Sequence, residues 1–446
     1  MKSSWRKCFD QRAPRYTSYP SALHFENTVT PKDFADKLDD VNLYDPLSLY
    51  VHVPFCRQLC WYCGCNMRVE NYYERARDYV ETLCLEIALV GQRLKGRGKT
   101  VSVHMGGGTP NYLLREDIGE ILTCIEREIG LTDSANLSIE LDPRLLRDCD
   151  IDHLSALGFR RFCLGVQDFD IGVQQAINRL QSYELIEACV SDMRASGIDD
   201  LAFDILYGLP HQSLETFDDT LDKVISLAPD RVSVFGYAHL PERMARQRMI
   251  DATALPDEQL RSQLAALSDE RLITAGYVRV GFDHYAKPDN ALARARLEGR
   301  LKRNFQGFTD DAAASQLGFG ASAVSFIDGL YAQNERAIDK YARRVRQGEA
   351  PIARGLRRTK RETIVATAIS DLLCKMSTNV SAVLRHSPPA DAIKMCSLLD
   401  ELEADGVIQW RGDMVEMTDG AHALARMVAM AMDPYARSQA DFSAAV

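Results

Sequence analysis

The chain has 446 residues, of which 46% are hydrophobic, which is enough to bury one large core with attached segments. Its formal net charge of -10 argues against a surface built mainly to bind nucleic acid. Residues 1–15 lack the apolar stretch of a signal peptide, and no run of about 18 apolar residues follows, so we expect a cytoplasmic protein without membrane insertion. The 12 cysteines are dispersed, which favours reduced thiols over disulfides.

Short apolar segments alternate with longer segments of helical periodicity along most of the chain. The candidate strands cover residues 47–53, 101–105, 137–141, 161–166, 201–207, 231–237 and 277–282. Candidate helices, with apolar residues three and four apart, cover residues 72–94, 115–129 and 213–227. This alternation predicts an α/β fold with a parallel sheet, either open or bent toward a barrel.

The pattern changes after about residue 334. Three candidate helices cover residues 335–347, 361–374 and 389–403, and a candidate hairpin with a turn at 411–413 precedes a last helix at 420–432. Helices followed by a hairpin resemble a winged helix, which makes DNA binding one interpretation. The acidic chain and the single arginine of the hairpin, Arg411, favour a domain that covers a substrate instead.

Three cysteines, Cys56, Cys60 and Cys63, form a C-x3-C-x2-C run directly after the first candidate strand. Cysteine thiolates are the usual ligands of iron–sulfur clusters, and four of them normally close a 4Fe-4S cube. Three would leave one iron open to a small chelating ligand, which turns an electron carrier into a reaction centre. Cys65 could be a fourth ligand, but its C-x-C step would have to fold back sharply.

Polar or glycine residues follow three other candidate strands. The three glycines 106–108 remove every side chain from a strand end, so they predict either a flexible turn or a close approach of backbone to ligand. Glu140 ends the third strand and is either a surface carboxylate or an acceptor for a ligand. Asp204 interrupts an apolar strand, which is costly unless the carboxylate is hydrogen-bonded or faces a ligand.

The cysteine run is the signature of the radical S-adenosylmethionine enzymes, in which the cofactor chelates the fourth iron. Three further segments narrow the resemblance, namely Pro-Arg-Tyr-Thr-Ser-Tyr-Pro at 14–20, Cys-Gly-Cys-Asn at 63–66 and Arg-Asn-Phe-Gln-Gly at 303–307. From about residue 14 to about 334 the chain resembles the oxygen-independent coproporphyrinogen III oxidases. The resemblance implies an N-terminal extension (1–43), an incomplete (β/α)6-type barrel (44–333) and a mainly helical, winged-helix-like C-terminal domain over the substrate site (334–446).

The resemblance also implies one 4Fe-4S cluster and two molecules of S-adenosylmethionine. Cys56, Cys60 and Cys63 match the cluster ligands, and Cys65 does not. The positions that match contacts of the first cofactor molecule are Tyr50, Tyr62, Gly107, Glu140 and Val324. Those that match contacts of the second are Gly108, Thr109, Gln167, Arg179, Asp204 and Ala238. Gln306 resembles a substrate-side residue, and with Tyr50 and Glu140 it completes the expected catalytic set.

The implied reaction is the oxidative decarboxylation of two propionates of coproporphyrinogen III to vinyl groups, through a 5'-deoxyadenosyl radical, giving protoporphyrinogen IX in haem biosynthesis. The reaction would need an external low-potential electron donor and an electron acceptor that the sequence does not identify. We expect a monomeric enzyme with no nucleic-acid partner. The four propionates of the substrate require cationic partners, for which Arg15, Arg179 and Arg303 are candidates by placement.

Departures from the family pattern leave two alternatives open. Met105 stands where an aromatic residue is common, and the segment 372–377 departs from the usual helix. These departures allow a divergent radical enzyme that acts on another tetrapyrrole, by ring opening of haem or by methyl transfer. They also allow a haem chaperone. Cys65 and the segments 14–20 and 303–307 favour the oxidase over the chaperone. His239 and His284, at strand ends, suggest propionate contacts or structural roles more than a second metal site.

Overall fold

A twelve-stranded sheet forms the centre of the computed structural model, which describes Trp5, residues 12–436 and residues 443–444. In chain order the strands are β1 (Pro46–Val53), β2 (Lys99–Gly107), β3 (Leu131–Leu141), β4 (Phe159–Gln167), β5 (Asp200–Tyr207), β6 (Arg231–Gly236), β7 (Val278–Val280), β8 (His284–Ala286), β9 (Ser315–Phe319), β10 (Val324–Ile327), β11 (Leu330–Asn334) and β12 (Ile352–Arg357). Their order in the sheet is β7-β8-β6-β5-β4-β3-β2-β1-β9-β10-β11-β12. The expectation about residues 1–15 falls mostly outside the described residues.

Fourteen α-helices accompany these strands in the described part of the chain. They are α1 (Pro31–Asp39), α2 (Tyr73–Leu94), α3 (Arg115–Glu128), α4 (Asp150–Ala156), α5 (Ile171–Ala176), α6 (Tyr183–Ala195), α7 (Leu214–Ser226), α8 (Glu258–Thr274), α9 (Ala291–Leu297), α10 (Ile338–Arg346), α11 (Lys360–Lys375), α12 (Ser381–His386), α13 (Pro389–Ala404) and α14 (Ala425–Met432). The predicted helices at 72–94, 115–129 and 213–227 are confirmed as α2, α3 and α7. None of the described helices is long and apolar enough to cross a bilayer.

Capping boxes begin three of these helices. The side chains of Thr30, Ser213 and Thr359 accept a hydrogen bond from the backbone N–H three residues on, and the side chain at that third position accepts one from the N–H of the cap residue. Each box satisfies donors that the first turn of a helix leaves without a partner. The starts of α1, α7 and α11 are therefore encoded locally.

Seven neighbouring strands run parallel, in the sheet order β6-β5-β4-β3-β2-β1-β9. Their carboxyl ends therefore lie at one edge of the sheet. The sheet ends at β7 and β12, and the described residues show no pairing between those two strands, as expected for an incomplete barrel. The predicted α/β fold of radical enzymes is thus confirmed. The residues that follow the parallel strands all lie at the same edge, where ligands bind in such folds.

Both ends of the sheet are antiparallel, which the sequence analysis did not anticipate. The strand expected at 277–282 is confirmed over Val278–Val280 but is shorter than expected, because the chain turns there into the hairpin β7–β8. Gly281 turns the chain at a φ of 65°, and a side chain there would meet the ring of Phe308. At the other end β12 continues the sheet, so the expected start of a C-terminal domain at 334 falls inside the sheet.

Beyond β12 the chain forms the helical region that the sequence predicts. A three-stranded sheet, in the order 377–379, 414–417, 408–411, includes the expected hairpin. The N-terminal segment packs against this region, because the Tyr16 hydroxyl donates to Asp433 Oδ2 (3.1 Å) and residues 12–13 pair with 443–444. Both ends of the described chain therefore meet beside the carboxyl edge of the barrel.

A buried carboxyl on α2 ties the barrel wall to the loop after β9. Glu86 accepts hydrogen bonds of 2.7 Å from the Gly320 N–H, from Asn334 Nδ2 and from the Tyr341 hydroxyl. Burial raises the pKa of Glu86 from 4.5 to about 7, although these three donors oppose the rise. The folded protein therefore holds a proton on Glu86 that the unfolded chain releases at lower pH.

Because the folded-state pKa of Glu86 is the higher one, this group makes the fold less stable as pH rises from about 4.5 to about 7. The full loss is on the order of 3 kcal/mol. We expect Glu86→Gln, which cannot ionise, to remove this part of the pH dependence. Urea unfolding of the wild type and the variant at pH 5, 6, 7 and 8 measures it; parallel stability curves would contradict the assignment.

Candidate active site

A cavity of about 600 Å³ opens at the carboxyl edge of the parallel strands. Twelve of the fifteen residues expected at the site line it, namely Cys56, Cys60, Tyr62, Cys63, Gly107, Gly108, Thr109, Glu140, Gln167, Arg179, Asp204 and Ala238. Tyr50, Gln306 and Val324 are not among the described residues that line it. Val324 lines a separate cavity of about 350 Å³ on the other side of the N-terminal segment 14–20.

The cysteine run follows β1 and is held by the segment after α5. Asn178 Nδ2 donates to the Leu59 carbonyl (2.7 Å), and the Trp61 N–H donates to the Ile177 carbonyl (3.0 Å). Residues 55–56 also pair in parallel with residues 68–69. The loop that carries the three cysteines is thus fixed on two sides, which a preorganised metal centre requires.

The sulfur atoms of the run lie among groups that stabilise thiolates. Cys56 Sγ is 3.2 Å from Thr109 Oγ1, and Cys60 Sγ is 3.6 Å from Arg179 Nη1 and 3.7 Å from Arg144 Nη2. Such N–H donors and cations favour metal-bound thiolates over neutral thiols.

The thiols of Cys63 and Cys65 are hydrogen-bonded to each other, and the Cys65 N–H also donates to Cys63 Sγ (3.4 Å). The thiol pair lowers the pKa of Cys63 to about 6 and raises the pKa of Cys65. Burial raises the pKa of Cys56 to about 12, so this thiol needs a metal to lose its proton at neutral pH. Cys63 and Cys65 therefore form one coupled thiol pair beside the other two cysteines of the run.

The described residues contain no group of three His, Cys, Asp or Glu side chains placed to hold a single metal ion. A cube differs from a single ion, because each cysteine binds a different iron and the sulfurs need not converge on one point. The three cysteines that line one cavity, with their thiolate-stabilising neighbours, therefore fit a 4Fe-4S cluster. His239 and His284 have other partners, Tyr237 Oη (2.9 Å) and Asp283 Oδ1 (2.6 Å).

Glu140 enters the cavity from the end of β3 with both of its oxygens held. His104 Nε2 lies 3.2 Å from Oε1, and the Gly107 N–H donates to Oε2 (3.0 Å). Burial by itself would raise the pKa of Glu140, but the hydrogen bond and charge of His104 and the Gly107 N–H lower it. Glu140 is therefore a fixed carboxylate, suited to accept hydrogen bonds from an ammonium group or a ribose hydroxyl.

Tyr50 is not among the described residues that line the cavity, and it is linked to Glu140 through His104. Its ring stacks on His104 at a centroid distance of 6.0 Å, and its hydroxyl is 2.9 Å from His52 Nδ1. His52 Nε2 is in turn 2.9 Å from the carbonyl of Asn66, which follows the cysteine run. Tyr50 thus joins the β2–β3 strand ends to the cluster loop.

Asp142 and Arg144 are site residues that the sequence analysis missed. Asp142 pairs with Arg144 Nη2 (2.6 Å) and with Arg179 Nη1 (3.4 Å), and both arginines reach Cys60. The sequence did contain a signal for Asp142. It lies two residues after Glu140, and alternate residues of a strand share a face. Together these charges place Cys60 in a cationic surrounding.

Asp204 on β5 and Gln167 at the end of β4 also line the cavity. Cys163 Sγ donates to Asp204 Oδ2 (3.5 Å), and burial, then the charge of Glu140, raises the pKa of Asp204. Gln167 has a φ of 67°, which directs the chain away from the strand. Ala238 accepts a hydrogen bond from Gln247 Nε2 (3.0 Å), which also donates to the Tyr62 carbonyl (3.1 Å).

Gln306 lies in the turn 304–307, where its N–H donates to Asn304 Oδ1 (3.0 Å). The same turn is close to His284, since a side chain added at Gly307 would approach His284 Nε2 at 3.7 Å. Gln306 is thus near the β8 end of the sheet rather than in the cavity wall. Its expected place on the substrate side remains a prediction.

The glycine segment needs Gly108 for a close approach to the cluster loop. A Cβ at Gly108 would lie 2.8 Å from the Phe55 carbonyl oxygen and 2.9 Å from that of Val53, both backbone atoms. We expect Gly108→Ala to push residue 55 away, destabilising the fold by about 1–3 kcal/mol and weakening S-adenosylmethionine binding. Thermal unfolding and equilibrium dialysis of the cofactor measure both effects. Gly119→Ala, whose Cβ has ordinary contacts at 3.6 Å, is the control; equal behaviour would refute the argument.

The cysteine run, the glycine segment and the parallel strands that carry them define a radical S-adenosylmethionine protein. Residues 50–224 match the radical SAM superfamily. The chain is 40% identical over 428 residues to the oxygen-independent coproporphyrinogen III oxidase of Bradyrhizobium diazoefficiens, covering 96% of this chain and 95% of the relative. It is 38% identical to the anaerobic coproporphyrinogen III oxidase 1 of Cereibacter sphaeroides, covering 98% and 97%. The chain belongs to the oxygen-independent coproporphyrinogen III oxidase family.

A solved structure supports the same assignment. Coproporphyrinogen III oxidase (HemN) from Escherichia coli, described as a radical SAM enzyme, superposes with a TM-score of 0.89 at 37% identity, covering 94% of this chain and 97% of that one. The match includes the region after residue 334, where the resemblance in sequence thins. Family membership implies a 4Fe-4S cluster and S-adenosylmethionine, which the residues of the cavity fit.

Proposed function

We propose that this chain converts coproporphyrinogen III to protoporphyrinogen IX without oxygen, by oxidative decarboxylation of two propionates. The observation that carries the proposal is the single cavity in which the three cysteines, the glycine segment and the carboxylates of Glu140 and Asp204 meet. The names of the relatives, aligned over nearly the whole chain, give the substrate class. Each propionate loses a hydrogen atom from its β carbon, carbon dioxide and one electron, which leaves a vinyl group.

Cys56, Cys60 and Cys63 would each hold one iron of the cluster. When bound, the cluster and S-adenosylmethionine together would supply the radical chemistry that removes the hydrogen atom. The protein's part is to orient these groups and keep water away. Glu140 is the fixed acceptor for the cofactor's polar groups, and the arginines beside Cys60 favour its thiolate.

We assign two S-adenosylmethionine molecules to the site. For the first, Tyr62, Gly107 and Glu140 line the cavity, whereas Tyr50 supports Glu140 through His104 and Val324 approaches from the second cavity. For the second, the contacts are Gly108, Thr109, Gln167, Arg179, Asp204 and Ala238, all of which line the main cavity. Equilibrium dialysis with labelled cofactor would give two molecules per chain; one molecule per chain would remove the second assignment.

The remaining assignments concern the partners. Tyr50, Glu140 and Gln306 form the proposed catalytic set, in which Tyr50 acts by positioning Glu140. A low-potential donor outside the chain would reduce the cluster, and a second partner would accept the electron from each propionate. We further propose a cytoplasmic monomer without a nucleic-acid partner, whose helical C-terminal region covers the substrate.

The test is to incubate anaerobically reconstituted protein with S-adenosylmethionine, a low-potential reductant and coproporphyrinogen III, and to analyse the products by mass spectrometry. We expect protoporphyrinogen IX together with 5'-deoxyadenosine. Cofactor cleavage without decarboxylation would redirect the activity to another tetrapyrrole. Stable stoichiometric haem binding without cofactor cleavage would replace the enzyme with a haem chaperone.

A further inference from the structure

A patch of exposed basic and aromatic side chains lies beside the loop that carries the three cysteines. Residues 55–75 contain three arginines, Arg57, Arg68 and Arg75, and two glutamates, in a chain whose formal net charge is -10. The side chains of Arg68 and Arg75 are 44% and 56% exposed, and Arg57, in the cysteine loop itself, is also exposed. The basic patch, defined as Arg57, Arg68, Tyr72 and Arg75, is therefore opposite in sign to the chain as a whole.

The three arginines of the basic patch converge on one buried residue, Glu70. Arg75 Nη1 lies 3.2 Å and Arg68 Nε 3.4 Å from Glu70 Oε2. Arg57 donates to the Tyr112 hydroxyl, which in turn donates to the Glu70 carbonyl (3.0 Å). These contacts hold the three guanidinium groups near each other. One carboxylate cannot neutralise all three, so the patch keeps an excess of positive charge.

The neighbouring residues do not cancel this excess. Glu74 is the exposed acidic residue of the same segment, and Asp78, one turn further along α2, is paired with Arg346. A fourth exposed arginine, Arg336, also lies beside the cysteine loop, because its carbonyl accepts a hydrogen bond from Asn66 Nδ2 (3.2 Å). The surface around the loop therefore presents more positive than negative charge.

Exposed apolar surface accompanies the charge. Tyr72 is 66% exposed, and the guanidinium carbon of Arg75 lies 5.7 Å from the centroid of its ring. Val69, which follows Arg68, is 37% exposed. Tyrosine and arginine are enriched at protein interfaces and carry much of their binding energy. The basic patch thus has the composition of a protein-binding surface rather than that of a purely charged, solvated face.

The basic patch is one strand away from an expected cluster ligand. Residues 68–69 pair in parallel with residues 55–56, and the Glu70 N–H donates to the Cys56 carbonyl (3.1 Å). Paired strands lie about 4.8 Å apart, so a molecule bound at the patch is close to the cysteine loop. The rate of electron transfer falls steeply with distance. A surface in this position is therefore suited to the delivery of electrons to the site.

We propose that the basic patch docks an acidic electron-carrier protein, which reduces the cluster from this side. The proposal rests on the part of the proposed function that requires a low-potential donor outside the chain. In each reduction the carrier loses one electron and the cluster gains it. The arginines steer the acidic partner to this face and set its orientation, and Tyr72 supplies apolar contact.

The test uses flavodoxin, an acidic flavin protein, as the probe and the reconstituted protein without tetrapyrrole. Calorimetric titration with oxidised flavodoxin gives the Kd, and stopped-flow absorbance gives the rate of cluster reduction by reduced flavodoxin. At low salt we expect Arg75→Glu to raise the Kd and lower the rate about tenfold, and Arg57→Gln about threefold. Both differences should shrink below about twofold at about 0.5 M salt, because salt screens exposed charges.

A small uncharged reductant, photoreduced 5-deazariboflavin, separates docking from damage to the cluster. It needs no docking surface, so it should reduce the wild type and both variants at equal rates. Arg57 does not contact the Glu70 carboxylate. Arg57→Gln therefore tests the basic patch even if Arg75→Glu, which places a second carboxylate beside Glu70, does not fold.

Arg294→Glu is the matched control, because it makes the same change of charge at an exposed residue near the other edge of the sheet. Arg294 lies on α9, and the cap residue of that helix, Asn290, is bonded to Asp200 at the start of β5 (3.1 Å). This variant should leave the Kd and both rates within about twofold of the wild type.

Equal effects of Arg75→Glu and Arg294→Glu on the Kd would overturn the docking surface. A loss of rate with 5-deazariboflavin as large as that with flavodoxin, or a wild-type protein that does not bind flavodoxin, would overturn it too. Failure of the proposed function gives a different result, in which the wild type binds flavodoxin and accepts its electron but forms no protoporphyrinogen IX.

Discussion

Replacement of Cys60 by serine is expected to abolish the iron–sulfur absorbance and all cleavage of S-adenosylmethionine. Serine removes the thiolate that binds one iron, and it also removes the charge that Arg179 and Arg144 face at 3.6 Å and 3.7 Å from Cys60 Sγ. Those two guanidinium groups would then face a neutral hydroxyl in a largely buried place. Iron and sulfide analysis after anaerobic reconstitution, with 5'-deoxyadenosine measured by chromatography, reports both losses.

Two cysteine controls make this result specific. Cys149→Ser changes an exposed thiol away from the site and should keep full iron content and activity. Cys65→Ser should keep the cluster, because the family resemblance matches Cys56, Cys60 and Cys63, and not Cys65, to the cluster ligands. A Cys60→Ser protein with four irons and normal cleavage would refute the ligand assignment; loss of the cluster in Cys65→Ser would make Cys65 the fourth ligand.

The parallel strands could be predicted because their local pattern is strong. Strands β1 and β5 are buried on both faces over most of their length, so each reads as a nearly continuous apolar run. The glycine segment and Glu140 could be placed at one edge for the same reason, since parallel strands bring their carboxyl ends together. The family resemblance then gave these residues their expected roles.

The antiparallel strands β10, β11 and β12 could not be predicted from the sequence, because residues far away in the chain stabilise them. β11 ends in the polar pair Gln333 and Asn334, which the sequence alone would assign to a loop. Asn334 is buried only because Glu86, 248 residues earlier, accepts its hydrogen bond. The contact between Arg426 and the Ala13 carbonyl had no local signal either, since it spans 413 residues. A sequence pattern that spans a few helical turns cannot include two residues that lie hundreds of positions apart.

For Tyr50, the matched position and the packing of the strands describe different parts of a role. Its position matches a cofactor contact, and the expected catalytic set includes it. In the structure it stacks on His104, which lies 3.2 Å from Glu140, and its hydroxyl bonds His52. A motif identifies which residue is needed. The packing of neighbouring strands decides whether its side chain contacts a ligand itself or positions another side chain that contacts the ligand.

The variant Asp204→Ala is expected to keep the cluster and to reduce turnover about ten- to a hundredfold, the range for losing hydrogen bonds to a charged group. Asp204 is hydrogen-bonded to Cys163 and Ser233, neither of which is an expected cluster ligand. Its effect should therefore act on the second cofactor molecule. We expect iron content and absorbance to equal those of the wild type, while bound S-adenosylmethionine falls from two molecules per chain to one.

Asp199→Ala is the matched control, because it removes the same group from an exposed position five residues earlier and should leave all three measurements unchanged. Asp204→Asn separates charge from shape. If the asparagine variant behaves like alanine, the carboxylate charge is what the second molecule needs; if it behaves like the wild type, a hydrogen-bond acceptor is enough. Loss of iron from Asp204→Ala would instead show that Asp204 also supports the cluster, and the division of roles between Asp204 and the cysteines would be wrong.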